Sequence, residues 1–263
     1  MALRWSWVAV LAVGIALFEA VLHALVSTAN PNLVPSLILL GAAVVPAAFV
    51  TFVRARRLEF GISGGAVALI ALIGGVVGVV AAGTLEFDTL HRLGVIPMLA
   101  VGVIEEGAKL IAPAVVLVAT RHRHPADGLL AGVAAGAGFA ALETMGYAFV
   151  VLIQSSGNLG AVEGVLLLRG VLSPAAHMAW TGVAAAALWR AAERGSRPRK
   201  IGALVAVFVV VVALHTAWDS IATPAGFLVI AAISLTLLTI TTHRLATDRT
   251  ARTQHCAPTG VAT

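Results

Sequence analysis

The chain has 263 residues, 60% hydrophobic and 11% charged, with a mean hydropathy of +1.00 and a net charge of +5. A soluble domain carries about 25% charged residues, so this composition excludes a water-covered globule and indicates a polytopic membrane protein. The single cysteine, Cys256, excludes a disulfide framework and any cysteine-rich metal centre.

Eight apolar segments are long enough to span a bilayer: about 5–26, 33–53, 62–83, 94–119, 127–153, 164–189, 201–222 and 225–242. The expected fold is therefore all-α, with about eight transmembrane helices. The first segment is too long for the apolar core of a signal peptide, and Glu19 interrupts its end, so it reads as an uncleaved span. Pro224 breaks the chain between the last two, giving a tight helical hairpin. Residues 1–246 form the expected membrane domain, and 247–263 read as a disordered cytoplasmic tail.

Fourteen of the 17 basic residues fall at segment ends on one side, among them Arg54, Arg121, Arg190, Lys200 and Arg244. The positive-inside rule then predicts that both termini are cytoplasmic. The basic balance is thereby explained as topology, with no nucleic-acid partner implied.

In the fifth segment Gly128, Gly132, Gly136, Ala140, Thr144 and Ala148 recur every fourth residue. Such a stripe lets a second helix approach closely in lipid. Glu19 and His23 in the first segment read as a local packing pair.

Charges inside a bilayer are costly and mark function. Glu105, Glu106 and Lys109 lie in the fourth segment, Glu143 in the fifth, His177 in the sixth, and His215 and Asp219 in the seventh. At ~1.5 Å per residue from the basic end, Glu105 and Glu143 lie roughly 24 Å along their helices, His177 roughly 20 Å and His215 roughly 22 Å. Four helices of alternating direction thus place their polar groups in one thin layer, nearer the outer face.

Helical spacing puts Gly102, Glu105, Glu106, Lys109 and Pro113 on one side of the fourth helix, and Phe139 with Glu143 on one side of the fifth. Pro113 and Pro174 free the carbonyls of Lys109 and Gly170, which then need water or a side-chain donor.

Two adjacent glutamates and two histidines in a dry cavity can activate water for attack on a carbonyl. Lys109, one turn from Glu105, keeps at least one carboxylate ionised. The same side chains can instead hold a divalent ion such as zinc. The spacing alone leaves metal-assisted and metal-free chemistry both open. Asp219 reads as the partner that orients His215, Trp218 as cavity wall or interfacial anchor, and Phe139 as packing.

At these residues the chain resembles a known family. Glu105-Glu106-Gly-Ala-Lys109 resembles the E-E-x-x-K motif of the PrsW intramembrane proteases, and Phe139-Ala-Ala-Leu-Glu143 their F-x-x-x-E. His177 in SPAAHMAWTG and His215 in HTAWD resemble the third and fourth motifs, so the motif-bearing core runs from about 94 to 222. One departure is Thr144, where the family commonly has Asn. The family is related to the type II CAAX prenyl endopeptidases, whose motifs differ mainly in a His where Glu143 stands.

The resemblance implies a multi-pass peptidase of the bacterial cytoplasmic membrane that cuts a single-span membrane protein such as an anti-sigma factor. In it Glu105 and Glu106 activate water, while Glu143, His177 and His215 act as ligands or oxyanion stabilisers. A divalent metal, if used, would draw on Glu106, Glu143, His177 and His215. Three rivals remain at this level: a proton- or cation-coupled transporter, a non-catalytic scaffold, and a prenyl-protein endopeptidase.

Overall fold

A computed structural model describes residues 2–56, 58, 60–120, 124–193, 197–221 and 223–255. Most of the described residues are helical, and none of them forms a strand. The long helices are α1 (Ser6–Thr28), α2 (Val34–Arg54), α3 (Gly64–Leu93), α4 (Met98–Lys109), α5 (Ile111–Ala119), α6 (Pro125–Gln154), α7 (Leu159–Leu172), α8 (His177–Ala192), α9 (Arg197–Ser220) and α10 (Pro224–His255). Seven helical stretches are long and apolar enough to cross a membrane, with α7 and α8 forming one of them. The fourth expected span is also present, but divided. α4 and α5 meet at Leu110, whose N–H bonds the carbonyl of Gly107 in a tightened turn. Together they run 98–119, about 33 Å of helix. Pro113, lacking an N–H, is the cause visible in the sequence.

Three boundaries differ from expectation. α3 runs ten residues beyond position 83 and stops only at Gly94, which adopts the left-handed conformation at φ 70°. A helix needs apolar residues only where lipid surrounds it, so the polar turns after 83 did not end it. The sixth expected span is broken by a 3-10 turn at Ser173–Ala175, which places His177 at the first turn of α8 and not in mid-helix. There the Ser173 hydroxyl donates to the freed Gly170 carbonyl at 2.9 Å, the side-chain donor that Pro174 called for. Finally, α10 continues helical through 247–255, where a disordered tail was expected. The remainder, 256–263 with Cys256, lies outside the described residues, as do 57, 121–123 and 194–196 within the basic loops.

α6 is the axis of the bundle, packed between α8 and α3 with α2 and α7 along its flank. Its small-residue stripe explains how. A Cβ at Gly128 would stand 2.7 Å from the Trp189 ring, one at Gly136 would stand 2.5 Å from the His177 carbonyl, and one at Gly132 would collide with the Thr181 carbonyl. The α6 and α8 backbones are therefore in contact, the arrangement that small residues permit in lipid. Further along the stripe, Ala148 packs with Ala42, Val162 and Leu166. Asp127 closes the turn before α3 by accepting from the Gly61 N–H at 2.7 Å. α1 lies outside, against α2, with Glu19 and His23 exposed and remote from the polar residues of the interior.

Candidate active site

The four segments named by their polar residues converge on one cluster. α4 brings Glu105, Glu106 and Lys109, α6 brings Phe139 and Glu143, α8 brings His177, and α9 brings His215 and Asp219. Gly102 makes the α4–α9 approach possible: a Cβ there would stand 2.9 Å from Thr216 Oγ1 and 3.2 Å from the Val212 carbonyl. One turn along each helix from that contact, Glu106 Oε1 and His215 Nδ1 meet at 2.8 Å.

Lys109 is the electrostatic centre. Its fully buried ammonium lies 3.0 Å from Glu105 Oε2, 2.8 Å from Glu106 Oε1 and 2.8 Å from His177 Nδ1. Three protons thus meet three acceptors, and the ring of Phe139, 4.1 Å away, lies under the charge. Phe139 therefore does more than pack. A buried cation is tolerable only when so paired, and the carboxylates need it equally.

Each histidine is held by its other nitrogen. His177 Nε2 meets Glu143 Oε2 at 3.0 Å, and the same oxygen forms an ion pair with Arg169 at 2.7 Å. With the ammonium donating to Nδ1, the neutral ring carries its proton on Nε2 and donates it to Glu143. His215 Nε2 meets Asp219 at 3.1 Å and lies 3.5 Å from Glu105. Asp219 thus sits where an orienting partner belongs. Trp180 stacks on His215 with ring centroids 5.1 Å apart, and its indole N–H donates to Ser234 on α10 at 2.8 Å. Trp218 stands edge-on to Trp180 and tilts against Phe227, as a wall residue would.

Two residues of this neighbourhood were given no role by the sequence reading. Arg169, on α7, was visible as a charge inside a span, but its partner Glu143 was not. Its guanidinium also covers the Tyr147 ring at 4.0 Å. Glu86 lay beyond the expected end of the third span. On α3, Gly78 faces Phe139 and Ala82 packs against Ala108 and Phe139. One turn further, Glu86 comes level with Glu105 and Glu143 on the antiparallel and parallel neighbours. Its Oε1 is shut off from solvent without a hydrogen-bond partner among the described residues.

A metal fits one subset of these groups. Glu105, His177 and His215, all buried, each offer a ligand atom, and the three atoms lie within 4.8 Å of one another. One carboxylate with two imidazoles is a zinc-type donor set. The subset differs from the expected Glu106, Glu143, His177 and His215. Glu106 Oε1 lies 2.8 Å from His215 Nδ1 and Glu143 Oε2 lies 3.0 Å from His177 Nε2, positions from which each glutamate can orient a histidine. Glu105 takes their place among the candidate ligands.

Comparison with curated proteins and with solved structures finds no match. The family described as PrsW family intramembrane metalloprotease matches over residues 53–242, a stretch that contains the entire cluster, and the chain belongs to that family.

Proposed function

We propose that this intramembrane peptide hydrolase cuts a single-span membrane protein, such as an anti-sigma factor, with Glu106 as the proton acceptor for the attacking water. The observation that carries the assignment is the split environment of Glu106. Its Oε1 is anchored by Lys109 and His215, while Oε2 is buried with no partner among the described residues. An anchored carboxylate with one uncommitted oxygen is suited to accept a proton. The water oxygen bonds to the carbonyl carbon, its proton passes to Glu106 Oε2, and that proton then goes to the leaving amine as the C–N bond breaks.

Glu105, His177 and His215 would hold a divalent ion, which when bound lowers the pKa of its water and polarises a carbonyl. Glu143 with Arg169, and Asp219, keep the two imidazoles in place. Exposure supports lateral entry of substrate. The side chains of Glu106, Lys109 and His215 are at most 1% exposed, whereas those of Glu143, Arg169 and Asp219 reach 18%, 24% and 30%. The layer is closed around Glu106, Lys109 and His215 and more open toward α7 and the C-terminal end of α9.

Metal analysis of the purified protein, with a chelator test on a co-expressed single-span substrate, decides the roles. Glu106→Gln should keep bound metal and lose cleavage, while His177→Ala and His215→Ala should lose both. Cleavage that survives Glu106→Gln would sink the proton-acceptor assignment, and full activity after chelation would remove the metal from the reaction.

A further inference from the structure

A cavity of about 390 Å³ opens at the basic end of the bundle between α8, α9 and α10. Arg190, Arg199, Lys200 and Arg244 line it, against one acid, Glu193, which pairs with Lys200 at 3.4 Å. Apart from Thr241 the other walls are apolar, with Val183, Ala186 and Val207 leading toward the bilayer interior. Arg190 lies thirteen residues from His177 along α8, about 20 Å, so the cavity is separate from the active site.

The positive-inside rule explains why basic residues collect at this end, but not why four of them face one cavity from three helices. Like charges held together repel, and an anion relieves that repulsion. Arginines present paired N–H donors that match phosphate oxygens. We infer that this cavity binds the phosphate headgroup of an anionic phospholipid, with an acyl chain along the Val183–Val207 wall. The apolar wall favours a lipid over a free phosphate, which would leave that surface wet. Basic pockets between membrane helices are suited to such headgroups.

Binding here has a mechanical consequence. The cavity joins the ends of α8 and α9, whose opposite ends carry His177 and His215. A lipid bridging Arg190 to Arg199 and Arg244 fixes the two imidazole-bearing helices against each other.

Native mass spectrometry of the full chain in detergent, with phosphatidylglycerol and phosphatidylcholine as probes, tests this. The protein should retain phosphatidylglycerol preferentially. The double variant Arg199→Ala/Arg244→Ala should weaken that binding about 30-fold, at roughly 5-fold per charge. Arg54→Ala/Arg56→Ala removes the same charge from the same basic belt outside the cavity and should leave the binding unchanged. The charge-keeping Arg199→Lys/Arg244→Lys variant, which lacks the paired donors, should bind more tightly than the alanine pair and less tightly than the parent. Equal weakening in both alanine pairs would overturn the site, as would a lysine pair no tighter than the alanine pair. Displacement of the lipid by millimolar inorganic phosphate would overturn the lipid assignment in favour of a free anion.

Discussion

The two halves of α6 are built on opposite plans. From Pro125 to Ala137 every residue is buried, and glycines bring its backbone against that of α8. Beyond Phe139 only Ala140, Thr144 and Ala148 remain buried, and the helix faces carry Glu143 and Tyr147 instead. The first half has almost no side chain able to move or ionise, and its interlocked backbones fix where α8 begins. The second half has the charges, placed by that fixed start. Rigidity and reactivity therefore occupy successive segments of one helix, and the site lies at their junction.

Four substitutions break or sharpen this contrast, taken from the largest expected effect down. Glu106→Gln should lower kcat by about 10²–10⁴-fold, well beyond its loss of folded fraction, because Glu105 still faces Lys109. A loss of activity that only tracks the loss of stability would show that Glu106 serves the fold alone. Lys109→Met strips the counter-charge from two buried carboxylates and should cost about 3–5 kcal/mol. Added zinc should raise its melting temperature more than that of the parent, because the ammonium shares Glu105 and His177 with the candidate metal site. An equal zinc response in both proteins would contradict that sharing.

In the packed half, Gly132→Val drives a side chain into the Thr181 carbonyl and should destabilise by about 3 kcal/mol or more. Its activity should fall only in proportion to the folded fraction, read by circular dichroism and cleavage on one sample. Arg169→Ala is the mildest of the four. It releases one anchor of Glu143 and should reduce activity by about 10–100-fold with little change in melting temperature. An unaltered rate would mean that His177 holds Glu143 unaided.

Much of this was legible in the sequence because a bilayer fixes helix length and direction. Counting residues from the basic ends placed Glu105, Glu143, His177 and His215 at one depth, and helical periodicity put Glu106 and Lys109 on the same face. The fourfold stripe on α6 likewise needed only helix geometry. What escaped depended on contacts between segments. The partner of Arg169 depends on how α7 leans on α6, which no spacing within α7 reveals. Glu86 was missed because hydropathy reports where lipid ends, and α3 continues past that point. The candidate metal group differs from the expectation because the approach of Glu105, His177 and His215 depends on how α4, α8 and α9 pack, which no spacing within one helix reveals.

The ion cluster on α4 also bears on how the chain reaches the membrane. The segment 98–119 holds Glu105, Glu106 and Lys109, which together oppose insertion by roughly 9 kcal/mol, while its ten or so large aliphatic residues return only about 5. Two of the groups that hydrogen-bond those ions, His177 and His215, lie on helices made later. During synthesis the fourth segment therefore has no favourable reason to leave the translocation channel alone. It settles into the bilayer in company, once α6, α8 and α9 arrive to take up its charges.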